Sequence, residues 1–209
     1  MIPLKPLLTA LLLGPPAASL AAAGSLSDLI LAPGLFKAAP DGEVLAYDHV
    51  REAPPVLPRA SLAEGRLLLT AGDGPRGRAL ALTREEEGQV RPVAEFPASG
   101  PNPVLLYFLE TTARNMADAT GGSPFYIRNR MREALVGAEV APEAGEGPVT
   151  VTMQPFEHDA NRGRMGIFAD LVIGVRFMPE EPGQILELSA DTAPVGDGYH
   201  DRLTLIAED

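Results

Sequence analysis

From Met165 to Phe177 the chain places an apolar residue at every second position. Met165, Ile167, Ala169, Leu171, Ile173, Val175 and Phe177 share one parity; Gly166, Phe168, Asp170, Val172, Gly174 and Arg176 share the other. Seven apolar positions at period two predict a strand with one buried face. From residue 164 to 177, about 13 steps of ~3.3 Å each reach about 43 Å. A strand that long curves, and Gly166 and Gly174 on the outer parity permit the bend.

The rest of the C-terminal third extends the pattern. Val149, Val151 and Met153 alternate with Thr150 and Thr152, and the loop Asp159-Ala160-Asn161-Arg162-Gly163 is expected to join the two runs as a hairpin. A turn at 179–183 leads to a strand over 185–188. Leu203, Leu205 and Ala207 then alternate with Arg202 and Thr204 in a last strand over 199–207. The N-terminal half predicts four more strands, over 44–51, 66–70, 78–83 and 90–96, with turns at 72–77 and 85–88. A short helical stretch is expected at 27–31.

Between the two strand sets the period changes. Asn102 is a good N-cap and Pro103 a good first helical residue. Leu105, Phe108, Leu109, Thr112 and Met116 then fall on one face, with Glu110 and Arg114 four apart. Gly121-Gly122 ends this helix. Ser123 caps a second one, with Pro124 at its first position and an apolar stripe of Ile127, Met131, Ala134, Leu135 and Ala138. The fold class is therefore α+β: an antiparallel, curved, half-barrel-like sheet of about eight strands, with a two-helix insert packed on its apolar face. In element order this resembles periplasmic lipoprotein carriers and related half-barrel domains, a resemblance that carries no functional residue with it.

Residues 1–23 read as a cleaved signal peptide: Lys5, a short apolar run from Leu7 to Leu13, the breakers Gly14-Pro15-Pro16, and Ala21-Ala22-Ala23 before a cut ahead of Gly24. A bilayer span needs ~20 apolar residues in a row, so a membrane anchor is not expected here, nor a transmembrane segment in the mature chain. The expected location is the periplasm. Residues 24–40 form a lead segment and 41–209 a single domain; 53–59, 141–147 and 191–198 are Pro- and Gly-rich connections too short to be domain linkers.

Composition narrows the chemistry. The formal charge is -11, which disfavours a nucleic-acid partner, since phosphate binding needs clustered basic residues. There is no cysteine, so disulfides, thiol catalysis and Cys-based metal sites are excluded. Gly72-Asp73-Gly74-Pro75-Arg76-Gly77 matches G-x-G-x-x-G, but a strand-like run follows it and not a helix, so it reads as a hairpin turn. His49, His158 and His200 lack metal-ligand spacing and read as surface residues; no metal, cofactor or catalytic residue is assigned. Ser123 reads as a helix cap, because the nucleophile elbow's last glycine is replaced by Phe125.

Arg128, Arg130 and Arg132 form the one local basic cluster. At 100° per residue Arg128 and Arg132 lie on one side of the second helix's stripe and Arg130 on the other. They read first as salt-bridge partners and second as an anion or partner contact. Concave apolar sites are common ligand pockets. The leading functional expectation is a non-enzymatic binding or carrier module for a hydrophobic or amphiphilic ligand, faced by Leu105, Phe108, Leu109, Met116, Ile167, Leu171, Ile173 and Val175. The alternatives are an envelope protein-interaction domain with a filled core, and a hydrolase whose site would pair two carboxylates, or a histidine with a carboxylate, in a pocket.

Overall fold

A computed structural model of the chain describes residues 24–54, 57, 63–140, 147–192 and 198–207. The expected signal peptide and parts of the three expected connections lie outside the described residues. After a short helix α1 (Leu26–Ile30) come strands β1 (Gly42–Glu52), β2 (Ala63–Gly74), β3 (Gly77–Glu86) and β4 (Gln89–Pro97). Helices α2 (Pro103–Thr120) and α3 (Pro124–Gly137) follow, then β5 (Val149–Met153), β6 (Val172–Phe177), β7 (Ile185–Asp191) and β8 (His200–Leu205). All eight strands join one antiparallel sheet in the order β4-β3-β2-β1-β8-β7-β6-β5. The sheet is open, with β4 and β5 as its edges. Two four-stranded meanders, one on each side of the helical insert, pair strand to strand along the β1–β8 seam.

The helices form where their caps dictate. The Asn102 side chain accepts hydrogen bonds from the Val104 and Leu105 amides, and Gly121 closes α2 in the left-handed region at φ 67°. The Ser123 hydroxyl accepts from the Tyr126 amide at the start of α3. Leu105, Phe108, Leu109, Thr112 and Met116 are buried, as are Ile127, Met131 and Leu135. All but Thr112 belong to one hydrophobic core with Leu67, Leu69, Leu80 and Leu82 of the first meander and Ile173, Val175, Leu188 and Leu203 of the second. Helix α1 is tied to the end of α3 by the Leu26 amide, which donates to the Ala138 carbonyl.

The expected strand over 164–177 is corrected in its first half. Only Val172–Phe177 is a strand; Arg162–Arg164 and Gly166–Asp170 are 3-10 turns. The hairpin expected at 159–163 is replaced by this longer turn-rich connection from β5 to β6. Successive i→i+3 bonds run from the Met165 amide to Arg162, from Phe168 to Met165 and from Leu171 to Phe168. With three residues per turn, Met165, Phe168 and Leu171 align on the core side, and all three are buried. Ile167, which period two placed inside, is 37% exposed. Two local features select the turns: Gly166 takes φ 55°, which L side chains resist, and the Arg162 guanidinium binds the Phe156 and Ala169 carbonyls and the Asp170 carboxylate.

Candidate functional site

A groove opens on the first meander's side of the helices, between β4, α2 and α3. Its volume is about 460 Å³. Val93, Ala94 and Phe96 form its strand wall, Leu106, Tyr107 and Leu109 its α2 wall, and Leu135 and Leu31 complete the apolar lining. Neighbouring strand residues normally face opposite sides, yet Val93 and Ala94 both line it. The β3–β4 register explains this: Leu82 pairs with Ala94 and Thr83 with Pro92, which leaves Val93 as the extra residue of a β-bulge. A bulge re-aims side chains, and Pro92, with no amide hydrogen to give, is tolerated on this edge strand. Val93 remains 40% exposed.

The groove's polar rim comes from the helices: Glu110, Thr111 and Arg114 of α2 and Arg128 and Arg132 of α3. The Thr111 hydroxyl is taken up by the Tyr107 and Phe108 carbonyls. Arg114 Nε lies 2.8 Å from Glu110 Oε1, and Arg128 Nε lies 2.6 Å from Glu110 Oε2. Arg132, one turn beyond Arg128, forms no salt bridge among the described residues and is exposed. Arg130 points to the other side of α3, where it meets Glu133 at 2.6 Å and Asp159 at 3.0 Å. Of the apolar residues expected to face a ligand, Leu109 lines the groove. Leu105, Phe108, Leu171, Ile173 and Val175 are packed in the core, and Ile167 is on the surface. Met116 borders a second groove near the start of α3; there Tyr126 donates to the Asp159 carboxylate and Asn161 donates to the Tyr126 hydroxyl.

A polar cluster lies behind Tyr107. His49 is not a surface residue: it is 1% exposed. On β1 the inward parity carries Tyr47, His49 and Arg51, and Arg51 faces Asp201 directly across the β1–β8 seam. Asp201 receives three bonds: from His49 Nε2 at 2.8 Å, Arg51 Nε at 2.9 Å and the Tyr199 hydroxyl at 2.8 Å. Asn115 of α2 donates to the Tyr199 oxygen at 2.9 Å, and the Tyr107 ring meets His49 edge-on with centroids 6.2 Å apart. His200, half-buried, pairs with Asp191 at 2.7 Å, and His158 is exposed. The carboxylate partner of His49 is 152 residues away in the chain, beyond the reach of any spacing rule.

The cluster's electrostatics are those of an internal tie. Burial by itself raises the Asp201 pKa, but the His49 bond, the Arg51 charge and the Tyr199 bond outweigh it and hold the carboxyl below its ordinary range. Burial opposes the Arg51 charge too, yet Asp201 keeps that guanidinium protonated. The Tyr199 phenol is pushed up by burial and by the neighbouring Asp201 charge, and burial pushes up Tyr47. A phenol whose pKa is higher folded than unfolded contributes stability below the unfolded value of about 10 and loses it as pH rises beyond. Stability should therefore drop above about pH 10, and Tyr199→Phe should flatten that drop; urea midpoints at pH 8–11 measure both.

The His49–Asp201 pair meets the distance expected of a catalytic dyad, but Arg51 occupies the carboxylate and Tyr107 and Asn115 roof it. It is a structural ion cluster joining the two meanders. Among the described residues no group of three His, Asp or Glu is arranged for a metal ion, and no helix is long and apolar enough to cross a membrane. Compared with protein-family models, curated proteins and solved structures, the chain finds no match.

Proposed function

We propose that this chain is an exported, non-enzymatic binding or carrier module of the cell envelope whose ligand is a hydrophobic or amphiphilic small molecule. The single observation that supports this reading is the apolar groove between β4, α2 and α3. Its volume of about 460 Å³ falls within the ~300–1,000 Å³ range of small-molecule sites. The wall is aliphatic and aromatic, and the polar groups are confined to its rim. The core beneath the helices is filled by Leu105 and Phe108, so the ligand lies beside the helical pair and not under it.

Purified protein should take up single-chain amphiphiles, read by native mass spectrometry and by displacement of a hydrophobic dye. Affinity should rise by about 0.8 kcal/mol, roughly fourfold, per added methylene until the groove is full. Val93→Glu should lower affinity about tenfold or more, because it sets a carboxylate in the apolar wall, while its exposed position spares the fold. A clean apo mass, no dye uptake and no effect of Val93→Glu would contradict the reading and favour an interaction domain.

A further inference from the structure

We infer that the groove's ligand is a single-chain amphiphile with an anionic head group, held at the rim by Arg132 and the outer side of Arg128. This rests on the binding-module reading and adds the chemistry of the head. Charge balance at the rim points to such a head group. The chain as a whole carries 28 acidic and 17 basic residues, so an arginine on its surface meets carboxylates in excess. At the groove the balance is reversed: three guanidinium groups, Arg114, Arg128 and Arg132, face the single carboxylate of Glu110. That carboxylate is already shared. Its Oε1 accepts from Arg114 Nε at 2.8 Å and from Arg128 Nη2 at 3.1 Å, and its Oε2 lies 2.6 Å from Arg128 Nε. Arg132 has no acid among the described residues.

Arginine stems can cover apolar surface while their heads stay in water, and that alone calls for no ligand. What the stems do not explain is a rim with two net positive charges bordering an apolar groove. An alkyl chain laid along Leu106 and Leu109 brings its head to this rim. A carboxylate there gains the exposed Arg132 fork, which has no salt bridge among the described residues, and guanidinium groups bind carboxylates through two parallel bonds. A cationic head meets repulsion, and a neutral head gains nothing from it. Glu110 ties α2 to α3 through Arg128, and its charge repels an incoming anion.

The test compares three probes of equal chain length by calorimetry: dodecanoate, dodecanol and dodecyltrimethylammonium. Dodecanoate should bind about tenfold tighter than dodecanol, its advantage should shrink with added salt, and the ammonium probe should bind weakest. The ratio of dodecanoate to dodecanol affinity should fall about tenfold in Arg132→Gln and rise about fivefold in Glu110→Gln, as expected for charges a few ångströms apart near a surface. Equal binding of all three probes, or preference for the ammonium, overturns the head-group inference and leaves the groove reading standing. No binding by any probe overturns both. A dimer that forms with concentration and blocks every probe puts a second copy of the chain on the groove and also overturns both.

Discussion

Asp201→Asn should destabilise the protein by about 3–5 kcal/mol, the cost of removing one partner from a buried ion pair. The Asp201 side chain is fully buried and that of Arg51 is 8% exposed. An amide in place of the carboxylate leaves the guanidinium charge uncompensated next to His49, 3.3 Å away. The site is also structurally exposed to failure, because among the described residues β1–β8 is the only strand pairing that joins the two meanders. The pH dependence has a definite sign. Asp201 has a lower pKa folded than unfolded, so its contribution is complete above about pH 4 and is lost as the pH falls from there through the folded value. The wild-type protein should lose stability over that acid window, and Asp201→Asn should show a shallower slope. Denaturant unfolding at pH 2–7 measures both effects. A variant within about 1 kcal/mol of wild type at pH 7 would show that the cluster is not what closes the seam.

Phe168→Ala should cost about 3–5 kcal/mol, the usual penalty for truncating a fully buried phenylalanine, whereas Ile167→Ala should change stability by no more than ~0.5 kcal/mol. The pair distinguishes two geometries for one segment. In a strand, Ile167 faces the core with Met165 and Ala169, and Phe168 faces out. In the 3-10 turns, Phe168 faces the core with Met165 and Leu171, and its ring lies 5.2 Å from that of Tyr199. Reversed magnitudes would restore the strand.

That segment shows where the sequence is ambiguous. Met165, Leu171 and the residues beyond satisfy period two, but Met165, Phe168 and Leu171 also satisfy period three. The choice is made by Gly166 at positive φ and by the Arg162 anchors six to eight residues away, which periodicity does not register. The helices had no such competitor. Asn102, Pro103, Gly121, Ser123 and Pro124 are local punctuation, and their chemistry acts within four residues, so both helix starts were legible. The same locality made the strand turns at Gly74–Gly77 and Glu86–Gln89 legible.

The candidate site was legible only in part. Helical spacing puts Arg128 and Arg132 on one side of α3 and Arg130 on the other, and the groove uses the first two. The strand wall was hidden, because it depends on the bulge at Val93; Pro92 inside an otherwise regular strand pattern is the signal for it. The His49 cluster was hidden for a different reason. Its members come from residues 49, 51, 115, 199 and 201, and no local rule connects them. The inward parity of Tyr47, His49 and Arg51 was the available clue, since it puts a histidine and an arginine on a core-facing side that must supply a counter-charge.

A crystal structure of the protein with dodecanoate tests the groove and its arginine rim together. Density is expected for the alkyl chain along Val93, Leu106 and Leu109, with the carboxylate on Arg132. Well-ordered dodecanoate bound elsewhere, with the groove between β4, α2 and α3 closed or empty, would contradict it.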